Sequence, residues 1–194
     1  MNYPSLNITN WKRTISCYEY SFLELLSVKI KFFENLLTNW RTPVFLKEIK
    51  MANVKSKDKV LHIGCGIFPT AAIVIAEKTK AQVVGIDNNK FALKFAKKFI
   101  EKKGLSNLIK IDYGDGKNYN VKNFDVIFIS INVWPIESVL KHISYNTKKD
   151  ARVICRGVKK DKENLFENKS IKDLYLIKKK MVNPKTYSFL LSLK

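Results

Sequence analysis

Two glycines and an aspartate, each placed at the end of an apolar run, have the spacing of a ligand site. Val60–Ile63 is followed by Gly64-Cys65-Gly66, and Ala81–Ile86 is followed by Asp87. A helical pattern lies between them, so the order is strand, glycine turn, helix, strand and acid. In a doubly wound sheet this order builds a site for a ligand that contains a nucleoside, because glycine lets the backbone turn sharply and approach the ligand. Asp87 lies about 20 residues after the glycines, where a carboxylate can accept hydrogen bonds from both ribose hydroxyls.

The same turn argues against a ligand that carries a pyrophosphate. A dinucleotide site has a third glycine where this chain has Pro69. Proline removes a backbone N–H from the start of the next helix, and a pyrophosphate would use that donor. No Gly-Lys-Ser or Gly-Lys-Thr follows the turn, which excludes a phosphate-binding loop of that type.

Strands and helices alternate on both sides of this turn. The predicted strands are Lys59–Ile63, Ala81–Ile86, Ile109–Tyr113, Asp125–Ile129 and Arg152–Cys155, followed by a hairpin of Leu174–Val182 and Thr186–Leu193. Helices are predicted from about Pro69 or Thr70, after a cap at Asn88 or Asn89, and through Val139 and Leu140. This order predicts an α/β fold with a mostly parallel, seven-stranded, doubly wound sheet that ends in an antiparallel hairpin.

Two further helices are predicted before the first strand. Apolar residues recur at steps of three and four from Ser16 to Asn39, and Thr42 followed by Pro43 is typical of the start of a second helix, to about Val54. Residues 1–54 are therefore interpreted as a helical extension of a domain formed by residues 55–194. The extension could close the ligand site as a lid or supply substrate residues; covering a sheet edge or making a dimer contact is the alternative.

Four motifs in order resemble those of class I S-adenosylmethionine-dependent methyltransferases, which have a Rossmann-like fold. They are Val60–Gly66, Val84–Asp87, Gly114-Asp115-Gly116 and Phe124–Ile127, and the resemblance extends from Lys55 to about Gly157. It implies that S-adenosylmethionine is the cofactor, with the glycine turn under its methionine part, Asp87 at the ribose and Asp115 at the adenine amino group. The cofactor-binding residues that it implies are Gly64, Cys65, Gly66, Phe68, Asp87, Asn88, Asp115, Gly116, Ser130 and Ile131.

One residue departs from the methyltransferase pattern and resembles the sequence pattern of a narrower family. His62 stands where these enzymes usually have an acid, two residues before the first glycine. Together with Gly64–Pro69 and Ile73–Ala76, it resembles the nicotianamine synthases, which use the same fold and cofactor but transfer the aminocarboxypropyl arm. Tyr18-Glu19-Tyr20 and Arg156-Gly157 also resemble that family, although this chain lacks most of its N-terminal helical domain. Methyl transfer is the prediction, aminocarboxypropyl transfer is the first alternative, and a basic RNA-binding or RNA-modifying protein is the second.

The catalytic candidates flank the expected cofactor. Residues Ser130 to Asn132 follow the fourth strand and would face the transferred group and the acceptor; Asn132 could orient that acceptor. Glu19 or Tyr20, on the first helix, could reach the site as a base. Cys65 is interpreted as a small packing residue, because no base is evident beside it. The chemistry needs no metal, and no cluster of residues has the spacing of metal ligands.

The charge is unusual, with 36 Lys and Arg against 17 Asp and Glu and a net charge of +19. Such a field would attract a nucleic acid or another acidic partner. The basic residues are scattered over every segment, however, and a solvated lysine-rich surface is the preferred explanation for them. The three cysteines are far apart and no run approaches the roughly 20 apolar residues of a membrane span. A cytoplasmic protein that does not bind membranes is therefore expected, with a small-molecule or macromolecular acceptor and an undetermined oligomeric state.

Overall fold

A seven-stranded sheet with helices on both faces forms the frame of the molecule. The computed structural model describes residues 30–158, 168–183 and 186–194, together with Glu24, Leu26 and Val28, whose backbone is helical. The helices in the described ranges are α1 (Lys31–Ala52), α2 (Thr70–Thr79), α3 (Lys90–Lys102), α4 (Ile136–Asn146) and α5 (Lys169–Lys172). The strands are β1 (Lys59–Ile63), β2 (Gln82–Asp87), β3 (Ile109–Tyr113), β4 (Val126–Ile129), β5 (Arg152–Val158), β6 (Tyr175–Asn183) and β7 (Thr186–Leu193).

The strand order confirms the predicted fold class. It is β3-β2-β1-β4-β5-β7-β6; β1 to β5 pair in parallel, and β7 is antiparallel to both β5 and β6. The direction of winding reverses between β1 and β4. In such sheets a crevice opens at this reversal, beyond the carboxyl ends of the strands, and ligands bind there.

The apolar strands are buried because helices cover both faces of the sheet. Val60 contributes to a core with α1, α2 and α3, whereas the next residue, Leu61, contributes to a core with α4, α5 and the C-terminal hairpin. Both side chains are completely buried. Successive residues of a strand point to opposite faces, so a continuous apolar run is what a sheet covered on both sides requires.

The prediction of two helices divided near Pro43 is wrong. Ile30 has an extended backbone, and a single helix then continues from Lys31 to Ala52 with Pro43 inside it. Proline removes only one backbone hydrogen bond from the helix, and the helix beyond it buries Phe45 and Glu48. Tertiary packing therefore outweighs the local preference of proline for a helix start. Residues 16–23, 25, 27 and 29 of the predicted first helix, Ser16–Asn39, lie outside the described residues.

Smaller differences concern the ends of elements. β2 is displaced by one residue relative to the prediction, and β4 begins one residue later than predicted. Differences of one or two residues are usual at the ends of secondary-structure elements. β5 continues three residues further, to Val158, because its pairing with β7 extends to Thr186. The short helix α5 was not predicted. None of the helices in the described part of the chain is long and apolar enough to cross a membrane.

The start of α3 is fixed by Asn89, one of the two predicted caps. Its side-chain oxygen accepts hydrogen bonds from the backbone N–H groups of Phe91 (3.0 Å) and Ala92 (3.3 Å). We expect Asn89→Ala to lower the free energy of unfolding by about 1 kcal/mol, because these two donors lose their acceptor. Urea unfolding measures the change. The control is Asn88→Ala at the neighbouring exposed residue, where a change below about 0.5 kcal/mol is expected. Equal losses in both variants would contradict the assignment of the cap.

Candidate functional site

A cavity of about 490 Å³ lies at the reversal point of the sheet. Its walls come from the segments that follow β1, β2, β3 and β4, from Arg156 on β5, from α1 and from Glu24. All the predicted cofactor-binding residues and one predicted catalytic residue line it: Gly64, Cys65, Gly66, Phe68, Asp87, Asn88, Asp115, Gly116, Ser130, Ile131 and Asn132. The other two predicted catalytic residues, Glu19 and Tyr20, lie outside the described part of the chain.

The glycine turn has a conformation that side chains oppose. Gly64 and Gly66 have φ angles of 78° and 69°, in the region that favours glycine. A Cβ atom on Gly64 would lie 2.7 Å from the Cγ2 atom of Val133, so space as well as backbone conformation excludes a side chain. The backbone N–H groups of Gly64 and Cys65 donate to the carbonyl of Ile86 (2.9 and 3.0 Å). The turn is thereby attached to the end of β2.

Asp87, the last residue of β2, completes this attachment. Its Oδ2 atom accepts from the backbone N–H of Gly66, and its Oδ1 atom accepts from that of Asn89, each at 2.9 Å. Burial raises the pKa of this carboxyl although the backbone donors act in the opposite direction. Each carboxylate oxygen can accept a second hydrogen bond. Asp87 can therefore hold the turn and still accept from a ligand in the cavity.

Asp115 lines the side of the cavity that faces β3. It accepts from the backbone N–H of Lys117 (2.9 Å) and forms an ion pair with the Lys117 side chain (3.2 Å). Its neighbour Gly116 is tightly packed, because a Cβ atom there would lie 2.8 Å from Ile63. The predicted motif Gly114-Asp115-Gly116 thus places one carboxylate at the cavity wall.

The segment after β4 crosses the opening of the cavity. The backbone N–H of Ser130 donates to the carbonyl of Ile63 (3.0 Å), which holds this segment beside the glycine turn. Asn132 is exposed at the cavity, and Trp134 is 64% exposed at its edge. This segment therefore contributes polar and aromatic groups to the cavity wall.

Sequence reasoning missed Glu24, which belongs to the helical extension. Its Oε2 atom accepts from the backbone N–H of Ile67 (3.1 Å), and its Oε1 atom accepts from Nη1 of Arg41 (3.0 Å). A Cβ atom on Gly66 would lie 2.7 Å from Oε2, so the carboxylate lies directly over the turn. Burial raises the pKa of Glu24, and this outweighs the opposing charge of Arg41. A carboxyl group with a raised pKa that lines a cavity is a candidate proton acceptor.

Two other residues beside the turn, Cys65 and His62, carry no charge at neutral pH. Burial, with smaller contributions from the charges of Asp87 and Glu24, raises the pKa of the Cys65 thiol. Cys65 therefore stays protonated, as expected of a packing residue. His62 is 3% exposed, and its Nε2 atom lies 2.8 Å from Oγ of Ser130. Burial, followed by the charge of Arg156, lowers the pKa of His62 to about 3, so the ring is uncharged at neutral pH.

Comparison with protein families gives one match over most of the chain. The model of a family described as "Methyltransferase domain" matches residues 54–187. This range contains β1 to β6 and the glycine turn, and it leaves out Glu24 and all of α1.

Similarity to curated proteins is confined to shorter segments. Sterol 24-C-methyltransferase of Pneumocystis carinii (strain B80) is 39% identical over 64 residues, which are 33% of this chain and 17% of that protein. L-histidine 2-aminobutanoyltransferase of Yersinia pestis is 33% identical over 64 residues, or 33% of this chain and 24% of that protein. The matched segments thus span a quarter or less of the length of these relatives.

Solved structures share the fold over a larger part of the chain. A mutant of MtNAS, a nicotianamine synthase, in complex with S-adenosylmethionine has a TM-score of 0.77 at 16% identity. That similarity covers 93% of this chain and 76% of the other. An RNA methyltransferase from Salinibacter ruber, in complex with S-adenosyl-L-homocysteine, has a TM-score of 0.62 at 15% identity, with coverages of 78% and 90%.

Proposed function

This chain belongs to the methyltransferase-domain family, and we propose that it transfers the methyl group of S-adenosylmethionine to an acceptor. The observation that carries the proposal is the convergence of the glycine turn, Asp87 and Asp115 on one cavity at the reversal point of the sheet. This is where open α/β sheets bind their ligands. The match confirms the family resemblance that the sequence motifs indicated.

The residues at the cavity fit this cofactor. Asp87 retains acceptor capacity for the ribose hydroxyls, and Asp115 offers a carboxylate to the adenine amino group. The glycine turn gives the methionine part a surface without side chains. A volume of about 490 Å³ is within the range of sites for small ligands. The cofactor supplies an electrophilic carbon beside a positively charged sulfur.

The chain itself positions the acceptor, excludes water and holds a proton. Ser130 to Asn132 and Trp134 flank the acceptor's path, and close positioning of two reactants removes much of the entropic barrier to transfer. Glu24 is the base in this proposal, in place of the predicted Glu19 or Tyr20. Its buried carboxylate, paired with Arg41, can accept the proton of an ammonium group and leave an amine as the nucleophile.

Aminocarboxypropyl transfer is the second candidate. Two features of this chain favour it: uncharged His62 in the place of the usual acid, and Glu24 placed over the turn by the helical extension. The relative named L-histidine 2-aminobutanoyltransferase and the similarity to MtNAS over 93% of the chain support the same candidate. Under it, the amine attacks the carbon of the amino acid arm next to sulfur, and that carbon–sulfur bond breaks.

The sulfur-containing product distinguishes the two reactions. The purified protein is incubated with S-adenosylmethionine and a cell extract that has been separated into small-molecule, RNA and protein fractions. Methyl transfer yields S-adenosylhomocysteine, whereas aminocarboxypropyl transfer yields 5′-methylthioadenosine, and mass spectrometry separates these products. We expect S-adenosylhomocysteine in one fraction, which then identifies the class of acceptor.

The Asp87→Ala variant is the control for contaminating enzymes and is expected to form no product above background. Methylthioadenosine instead would establish the second candidate. Absence of both products with every fraction, together with no binding of the cofactor, would contradict the proposed function.

A further inference from the structure

The outward face of α1 exposes large apolar side chains. Phe32, Leu36 and Trp40 are 69%, 53% and 62% exposed. They recur at steps of four residues and therefore lie on one side of the helix. The inner side of α1 is apolar as well, because Leu37 and Phe45 are buried there. A helix that is apolar on both sides is normally covered on both, so this face has the character of an interaction surface.

The charged residues of α1 are divided between its two sides. Both acids of the helix, Glu34 and Glu48, are buried and form ion pairs. The exposed charged residues of the helix are Lys31, Lys47 and Lys50, and Lys31 stays exposed although it also pairs with Glu34. The outward face of α1 therefore combines apolar and cationic side chains, and no acid of the helix lies on it.

This combination is typical of a helix that lies on an anionic lipid bilayer. Phenylalanine, leucine and tryptophan enter the boundary between headgroups and acyl chains, while lysines extend to the lipid phosphates. A second copy of the chain is a poorer partner, because each copy has a net charge of +19. A nucleic acid would match that charge, but Leu36 offers neither a donor to its phosphates nor an aromatic ring to its bases.

The same face adjoins the candidate functional site. Trp40 lines the cavity as well as being exposed, whereas Phe32 and Leu36 lie outside the cavity. The expectation that the protein does not bind membranes was based on the lack of an apolar run of spanning length. A helix that lies along a bilayer surface needs no such run, since only one of its sides enters the lipid.

We propose that the outward face of α1 binds the surface of an anionic lipid bilayer. Phe32, Leu36 and Trp40 supply the apolar contacts, and Lys47 and Lys50 at the end of the helix supply the contacts to lipid phosphates. The binding requires no cofactor, so the inference does not depend on the proposed function. It goes beyond that function by assigning the protein a partner.

Cosedimentation with lipid vesicles tests the inference. The purified chain is mixed with vesicles of phosphatidylcholine alone or of equimolar phosphatidylcholine and phosphatidylglycerol, and the bound fraction at increasing lipid concentration gives the Kd. We expect binding to the anionic vesicles to be at least about 10-fold tighter, because each lysine close to such a surface contributes a factor of about five.

Net charge alone would attract this protein to an anionic surface, so the decisive comparison concerns the apolar contacts. The double variant Phe32→Gln with Leu36→Gln keeps the charge and should fold, because both side chains are exposed. It should weaken binding to the anionic vesicles by at least about 10-fold. Tyr145→Gln is the control: Tyr145 is 73% exposed on α4, which covers the other face of the sheet. It should bind within about twofold of the wild type.

Three outcomes would overturn the inference: wild-type affinity in the folded double variant, equal binding to both kinds of vesicle, or no binding by the wild type. In the last case, sedimentation of the chain alone would reveal a second copy on this face, and fluorescence anisotropy with an RNA oligonucleotide would reveal a nucleic acid. Either partner would have to be lost in the double variant. None of these results bears on the transfer reaction, which the product assay tests separately.

Discussion

Replacing Asp87 with alanine is expected to weaken the binding of S-adenosylmethionine by about 100-fold. Two hydrogen bonds from ribose hydroxyls to a charged acceptor contribute roughly this much, at about 1.5 kcal/mol each. The variant also removes the acceptors of the Gly66 and Asn89 backbone N–H groups, so the turn that supports the ligand becomes less ordered. Isothermal titration with S-adenosylhomocysteine, which is stable in solution, measures the loss.

The control for this experiment is Asp112→Ala at the neighbouring strand. Asp112 lies near the carboxyl end of β3, bonds to Lys110 and the Tyr119 hydroxyl, and does not line the cavity. Its removal should leave the affinity for the cofactor within about twofold of the wild type. Circular dichroism of both variants establishes that the fold is retained. An unchanged affinity in folded Asp87→Ala would show that the ribose lies elsewhere.

Replacing Glu24 with glutamine is expected to lower turnover by at least about 100-fold while the cofactor still binds. Positioned general bases contribute 100- to 10,000-fold. Glutamine has nearly the same shape and its amide oxygen can still accept from Ile67, so the loss reports the proton acceptor rather than the packing. The wild-type rate should rise with pH as Glu24 loses its proton. Because burial raises the pKa of this group, that rise lies above the ordinary value of 4.5 and should be absent in the variant.

Glu34→Gln is a matched control for the same substitution. Glu34 is also a buried carboxylate, paired with Lys31 (2.9 Å) and Lys103 (2.5 Å), but it lies outside the cavity. This variant should lose stability and keep its turnover per folded molecule. Wild-type turnover in folded Glu24→Gln, measured with the acceptor fraction found in the product assay, would exclude Glu24 as the base.

The family domain could be predicted from sequence because its signals are local. Each apolar run that ends in a glycine or an acid corresponds to a strand, and β1 and β3 begin and end at the predicted residues. The order of the motifs was sufficient to place Gly64, Asp87 and Asp115 around one cavity, since parallel strands bring their carboxyl ends to the same edge. Asn89 was recognisable as a cap because the capping preference depends on neighbouring residues.

The part of the cavity formed by Glu24 and Arg41 could not be predicted, because it depends on contacts between distant segments. Nothing in the periodicity of the extension distinguishes Glu24 from the other acids there; its position over the turn follows from its contacts with Arg41 on α1 and with the backbone of Ile67. The helix start predicted at Pro43 is wrong for the same reason. The packing of Phe45 and Glu48 outweighs the preference of proline for the first turn of a helix.

The contact between Glu24 and Gly66 constrains how this site can evolve. The carboxylate fills the space that a side chain at position 66 would need, and the backbone conformation there also disfavours one. Mutations at these two positions are therefore not independent: a side chain at position 66 requires the Glu24 carboxylate to move, and under the proposed function Glu24 is the base. The proposed base is thus tied to a glycine whose backbone conformation alone asparagine could also adopt.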